Sequence, residues 1–462
     1  MNNVFVLEMN EINPEILRTL MTRGKLPNFQ RLMKTHDVVE TRAGEEYHKL
    51  EPWIQWVTVH TGMPQSRHNA FNLTDGQHLR LTQVWDVLEA GGTVCGVVSP
   101  MNGHRGCITR GFYVPDPWSA TDEAYPDSLK PIYRFLSERV NSHNVSLERG
   151  SSKAQFLVES LRAGVPVSTI FRLAFLYGRS KIDKRTKWRL AAEFDRYLVE
   201  LTLALCRRFK PGYTSIFLNG VAHYQHHYWS RHNRNYWASV SPSLFSKHNP
   251  LEDQNLKEND DPIEYGLRAY DRILGRVQEE CPDSSIVVIT GLGQVPFEGY
   301  QGNRGFYLYR AYDHDSLLKT LGVEYERVVP LMSRDLMIYF ADQSSVKSAM
   351  ETLEKVHVNR ERLFAWTEET CNRLFVKVAF TFESDAATRI SAPSLPNGLR
   401  FQEWFQFITF KTGHHCPNGL LIIPKASVKH LKVSEEPLPL ESVSEFLKNA
   451  IGAGEAPSRK VA

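Results

Sequence analysis

Four short apolar runs constrain most of what this chain can become. VFVLEM (4–9), TVCGVVSP (93–100), YTSIFLN (213–219) and SIVVITG (285–291) are rich in Val, Ile and Phe and too short for ordinary helices. Each reads as a buried strand. Between them the spacing turns helical. Residues 15–34 carry a helical pattern broken at Gly24–Pro27, residues 81–91 another that stops at Gly91–Gly92, and residues 262–280 a third. Strand, helix, strand in this order implies a parallel sheet with helices on its faces. In such a sheet ligands bind at the carboxyl ends of the strands. The loops after 4–9, 213–219 and 285–291 are therefore where chemistry is expected.

The intervening segments divide the chain. The reading is an α/β core built from 1–140, 213–300 and 391–453, with two insertions. The first, 141–212, is helical and basic. The second, 301–390, carries DLMIYF, SVKSAMETLEKV and RLFVKVAFTF, a strand–helix–strand pattern that predicts a small α+β cap. Residues 400–423 return to strand character, and 454–462 read as a disordered tail. A length of 462 residues allows two to four such units.

Charge and cysteine usage exclude several classes. Fifty-five Lys and Arg against 52 Asp and Glu leave a net +3, too little for a nucleic-acid binder. Six cysteines, none in a C-x-x-C pair, argue against a zinc knuckle or disulfide scaffold and fit a reducing compartment. The opening MNNVFVLEMNEIN has no basic leader, and no run of 18 apolar residues occurs. A cytoplasmic location with no membrane-spanning helix is expected.

Several polar residues sit where the site should be. Glu8, Asn10 and Glu11 close the first strand, and alternation puts Glu8 and Asn10 on one side. Asn13 before Pro14 reads equally well as a helix cap. After the third run comes Asn219-Gly-Val-Ala-His223-Tyr-Gln-His226-His227, where His223 and His227 share a helical face. Imidazoles so placed suit a metal or a phosphate, against the plain alternative of a His-rich surface helix. Lys411-Thr-Gly-His414-His415-Cys416 lies in a turn before an apolar strand. The stretch 45–62 adds Glu45, Glu46, His48 and Glu51 beside Trp53 and Trp56. The two Trp read as core, whereas Glu51, directly before Pro52, does not fit a core or a plain loop.

Taken together, VFVLEMNEIN, GKLPNFQRLM, EPWIQWVTVHTGMPQSRHNAF, QVWDVLEAGGTVCGVVSP, NGVAHYQHHYW, SIVVITGLGQ and TGHHCPNGLLI resemble the alkaline phosphatase superfamily. The branch they most resemble is the type I phosphodiesterase/nucleotide pyrophosphatase-like one. The resemblance covers about half the chain. It implies an alkaline-phosphatase-like parallel-sheet core with helices on both faces, and a metal-assisted hydrolase of phosphoesters. Members attack the ester with Ser or Thr between two metals. Here the first metal-binding Asp falls on Asn10, the nucleophile on Pro52, a second Asp on Asn219, and the Asp-His of the family's "SDHG" on Leu292 and Gly293. His223 and His415 match the family's ligands.

Two readings follow. In one the chain is a hydrolase or a transferase whose site is rebuilt around a single divalent ion, zinc or manganese, or without metal. The metal set is then Asn10, Asn219, His223 and His415. Glu8, Glu11, Glu51 and His48 are candidate acid/base groups, and His227 and His414 contact a small anionic substrate such as a phosphodiester, a nucleotide sugar or a glycan intermediate. In the other the fold is a non-catalytic scaffold for a ligand or partner. Independently, Arg172, Arg179, Lys181, Lys184, Arg185, Lys187 and Arg189 interleave with Phe171, Phe175, Leu176 and Trp188 over 172–190. Such a pattern offers peripheral contact with anionic lipid or an acidic partner, or is simply a solvated helical face.

Overall fold

A computed structural model describes residues 3–44, 49–119, 121–140, 153–232, 256–257, 260–297, 305–331, 334–370, 372–428, 431 and 436–451. His48 and the 454–462 tail lie outside the described residues. The chain divides into two compact units.

The first unit comprises Met1–Asn235, Glu252–Pro296 and Gly413–Ala462. Its centre is an eight-stranded sheet. The strands are β1 (Asn3–Met9), β2 (His36–Arg42), β3 (Cys95–Val98), β4 (Phe112–Val114), β5 (Tyr213–Leu218), β6 (Ser284–Ile289), β9 (Asn418–Pro424) and β10 (Leu438–Pro439); β7 (Gly293–Pro296) and β8 (Gly413–Cys416) form a separate ribbon described below. The order is β10-β2-β9-β6-β1-β5-β3-β4. The strands from β6 to β4 run parallel, β9 is antiparallel to both neighbours, and β10 is parallel to β2. β1 thus lies mid-sheet and is covered on both faces. Phe5, Leu7 and Met9 enter one layer and Val4 and Val6 the other, which is why the run reads as continuously apolar. All four expected strands form.

Helices cover both faces for local reasons. α1 (Pro14–Thr22) starts at Asn13, whose side-chain oxygen accepts from the backbone N–H groups of Glu15 and Ile16. The capping reading of Asn13 therefore holds. α2 (Pro52–Thr61) has Pro52 at its first position and ends at Gly62, whose φ of 74° lies in the left-handed region. α3 (Lys153–Arg162), α4 (Val167–Ile182) and α5 (Leu190–Phe209) occupy the segment expected as a helical insertion. Phe156, Ile170, Trp188 and Leu198 from this segment join the same buried cluster as β1. It is packed into the unit rather than standing apart from it. α6 (Gly220–His227) follows β5, and α7 (Pro262–Glu280) precedes β6. Among the described residues no helix is long and apolar enough to cross a membrane.

The second unit comprises Tyr236–Leu251 and Phe297–Thr412. Its described part holds a four-stranded antiparallel sheet that includes Asp335–Tyr339 and Arg373–Val378, with the helix Gln343–Glu354 between them in sequence. That is the strand–helix–strand pattern expected there. The unit runs further than the 301–390 segment, because Phe405–Lys411 pairs with Phe306–Ala311 rather than with the core sheet.

Candidate functional site

The chain leaving β1 is stitched to the ends of its two neighbours. The Asn10 N–H donates to Leu218 O (3.0 Å) at the end of β5, and the Glu11 N–H to Thr290 O (3.1 Å) just past β6. Glu11 sits at φ 60°, in the left-handed region. A non-glycine residue there costs roughly 1 kcal/mol and needs surroundings that enforce it. Its side chain is 1% exposed. The fold therefore holds a carboxylate, under strain and out of water, at the crevice where a parallel sheet binds ligands.

Two imidazoles meet it. α6 carries His226 over the strand ends, with Nε2 3.3 Å from Glu11 Oε2. A two-stranded antiparallel ribbon, β7 (Gly293–Pro296) and β8 (Gly413–Cys416), brings His415 opposite Gln294. His415 Nε2 lies 3.4 Å from the same Glu11 oxygen. The His226 and His415 rings stand edge to face, centroids 5.1 Å apart. Each of the three residues offers a ligand atom within 4.8 Å of the others.

A second ring of polar groups fixes these three. Asn10 Nδ2 donates to Glu11 Oε1 (2.8 Å) and to Asn219 Oδ1 (2.8 Å), while Asn10 Oδ1 accepts from the Trp56 indole N–H (2.7 Å). Gln294 Nε2 donates to Glu11 Oε2 and Gln225 Nε2 to the Glu11 carbonyl. Glu51 Oε2 lies 3.4 Å from His415 Nδ1, on the far side of that ring from Glu11. Glu51 occupies the position before α2 without using its side chain as a cap. Asp195 secures the start of α6, accepting from the Gly220 N–H (2.7 Å) and the Tyr270 hydroxyl (2.8 Å). Burial pushes its carboxyl up to about 7 despite those donors. Burial, with the nearby Glu11 charge adding to it, also raises the Cys416 thiol. Cys416 is accordingly not a ready thiolate ligand.

The donor set suits either protons or a cation. A carboxylate oxygen and an imidazole nitrogen without its proton are both acceptors, and at 3.3–3.4 Å they repel unless a proton or a metal ion lies between them. Ligand atoms about 2.0–2.1 Å from a tetrahedral zinc stand roughly 3.3–3.4 Å apart. The two separations from the Glu11 oxygen match that spacing, and the His226 and His415 ligand atoms lie within 4.8 Å of each other, so the three residues could hold one divalent ion. Glu51 then accepts from His415 Nδ1 and fixes the tautomer that offers Nε2, the carboxylate–histidine–metal arrangement.

The expected residues are sorted by this geometry. Glu11, Glu51 and His415 come together. Asn10 and Asn219 support the cluster, their amide oxygens already occupied by Trp56 and Asn10. His223, the imidazole that the family motif selects, is exposed, its ring 4.9 Å from that of His227. His226, one turn further along α6, takes the position at Glu11. Glu8 is 1% exposed, with Oε1 bonded to the Ser215 hydroxyl (2.5 Å) and both oxygens 3.2 Å from His60 Nε2. That pair lies within the core, with the His60 ring edge-on to Trp85 at 5.0 Å. His414 precedes His415 in β8, so strand alternation puts it on the other face of the ribbon. Pro52, at the nucleophile position, opens a helix, and Leu292 is fully buried. Sequence reasoning missed Gln294, Gln225 and the indole of Trp56. The only signal was an amide residue next to each motif position.

No family model and no curated protein matches the chain. Among solved structures, phosphonoacetate hydrolase from Sinorhizobium meliloti 1021, in complex with phosphonoformate, is similar over 97% of this chain and 96% of that one, at 13% identity and a TM-score of 0.48. Murine ectonucleotide pyrophosphatase/phosphodiesterase 5 is similar over 97% and 95%, at 11% identity and a TM-score of 0.43. Wild-type alkaline phosphatase PafA is similar over 96% and 95%, at 11% identity and a TM-score of 0.46. These three are proteins the chain is similar to across nearly its whole length, at identities of 11–13%.

Proposed function

We propose that this protein is a hydrolase of phosphoesters or phosphodiesters of small anionic molecules, working at a rebuilt single-metal site of Glu11, His226 and His415. One observation carries the reading. A strained, buried carboxylate and two imidazoles converge at the carboxyl ends of β1, β5 and β6, at metal-ligand spacing. The motif resemblance to the alkaline phosphatase superfamily points to the same substrate class. A divalent ion bound there supplies a Lewis acid that polarises a phosphoryl oxygen.

The remaining chemistry belongs to the side chains. With Pro52 at the nucleophile position, no Ser or Thr attacks, and water is the nucleophile. Glu51 is part-exposed beside His415, where it holds the tautomer of the ring, and the proton of the attacking water passes to solvent. The phosphorus–oxygen bond to the leaving group breaks, and the leaving oxygen takes a proton from solvent. Glu11 and Glu51 together neutralise one divalent cation, which leaves the bound phosphate group to His227. That ring stands next to His226, centroids 6.3 Å apart.

The test is a panel of phosphomonoesters, phosphodiesters and nucleotide sugars assayed with zinc or manganese, for the parent protein and Glu11→Gln. Turnover that Glu11→Gln abolishes, with oxygen from labelled water in the released phosphate, is expected. No turnover on any member, from protein that carries the ion, would leave the fold a ligand-binding scaffold.

A further inference from the structure

The exposed apolar surface of this protein is concentrated in one place, away from the candidate site residues in sequence. Eight of the thirteen large apolar side chains exposed among the described residues fall between Leu157 and Ile182, on α3 and α4. On α4, Val167 (69% exposed), Phe171 (70%), Phe175 (58%) and Ile182 (91%) follow one another at steps of four, four and seven, so they share one face. Ile170 and Leu173 on the other side of the helix pack into the core. The Phe171 and Phe175 rings stack in the open, centroids 6.4 Å apart and 17° from parallel. Leu157, Val158 and Leu161 add to the exposed apolar surface from α3. Scattered exposed apolar residues need no explanation, but an apolar stripe of this kind marks a docking surface.

Charge says what docks. Residues 153–189 hold nine Lys and Arg against two acidic residues, a net +7 in a chain whose total is +3. Arg179, Lys181, Lys184, Arg185 and Lys187 are exposed at and just beyond the end of the apolar stripe. Other members of the basic stretch are spent inward. Arg172 forms two 2.7 Å bonds to Glu193, and Trp188 is buried edge-on to Tyr265 with Arg189 stacked on it. Bulky apolar side chains flanked by unburied cations are complementary to a bilayer whose surface is anionic.

We propose that the exposed apolar face of α4, with the neighbouring α3 residues, is a peripheral membrane-docking surface. Phe171, Phe175 and Ile182 enter the headgroup region of an anionic lipid bilayer, and the 179–187 cations lie on its phosphates. This inference is independent of the proposed chemistry.

The experiment is co-sedimentation of the full chain with phosphatidylcholine vesicles, with and without phosphatidylglycerol, at low and high salt. Binding to the phosphatidylglycerol vesicles should exceed binding to phosphatidylcholine alone by about tenfold or more and fall with salt. It should drop by a similar factor in Phe171→Ser/Phe175→Ser and in Lys184→Glu/Lys187→Glu. All these side chains are exposed, so an unchanged circular-dichroism melt should accompany the loss. Equal, weak sedimentation with both vesicle types would overturn the proposal, as would undiminished binding by the double-Phe variant. Light scattering that shows a dimer abolished by that variant, without vesicle binding, would assign the face to a second copy. Salt-sensitive binding to polyglutamate, without vesicle binding, would assign it to an acidic protein.

Discussion

Glu11→Gln isolates the one carboxylate in the three-residue cluster while conserving its volume. The Glu11 oxygen faces both imidazole Nε2 atoms, at 3.3 and 3.4 Å, and on the proposed metal site the folded state binds the ion whereas the unfolded state does not. Zinc at one hundred times its dissociation constant should then stabilise the parent protein by about 2.7 kcal/mol. Loss of an outer-shell partner weakens a metal site roughly 10–100-fold, and loss of a charged ligand more. With the constant weakened even 100-fold, the same zinc concentration stabilises Glu11→Gln by only about 0.4 kcal/mol. The variant also faces Asn10 and Gln294 with an amide N–H where they donate to a carboxylate. Its metal-free stability should accordingly fall by about 1–3 kcal/mol. The zinc-dependent increment, read from urea unfolding with and without the ion, separates the two effects. Equal increments in the two proteins would refute the assignment of Glu11 as a ligand.

Three further outcomes follow from the geometry. His60→Ala takes from the buried Glu8 carboxylate one of its hydrogen-bond partners and should cost about 1–3 kcal/mol of stability, measured by urea unfolding. Glu8→Gln should keep turnover, and its loss with folding and zinc uptake intact would return Glu8 to the chemistry. Asp195, held up to about 7 by burial, favours its protonated form in the folded protein. Its stabilising contribution is present below the ordinary carboxylate value of about 4 and is lost as pH rises through about 7. Asp116 shifts in the same direction for the same reason, so the informative quantity is a difference. The melting temperature of Asp195→Asn should decline less than the parent's between those two pH values, and an equal decline would contradict the reasoning.

Much of the fold was legible because parallel strands covered on both faces need continuous apolar runs, and the runs at 4–9, 93–100, 213–219 and 285–291 supply them. The extent of the second unit was not, since Phe405–Lys411 has the same strand character as the core strands and only pairing with Phe306–Ala311 assigns it. The site was half legible. Strand ends pointed to Glu11, and the family-like motif pointed to His415. Motif alignment also selected Asn10 and His223, each a near neighbour of a residue in the Glu11–His226–His415 cluster. β1 ends in a left-handed turn at Glu11, so the carboxylate one residue past the aligned position enters the crevice. The phase of α6, set by its start at Gly220, brings His226 rather than His223 to that carboxylate. Gln294 has no motif of its own, and its role arises only from the register of β7 with β8.

The central claim is that His226, with Glu11 and His415, holds the ion. Elemental mass spectrometry of protein purified without chelators, for the parent and for His226→Ala, His415→Ala and His223→Ala, tests it most directly. Near-stoichiometric divalent metal is expected in the parent and in His223→Ala, with loss from His226→Ala and His415→Ala. Metal retained by His226→Ala and lost from His223→Ala would contradict it.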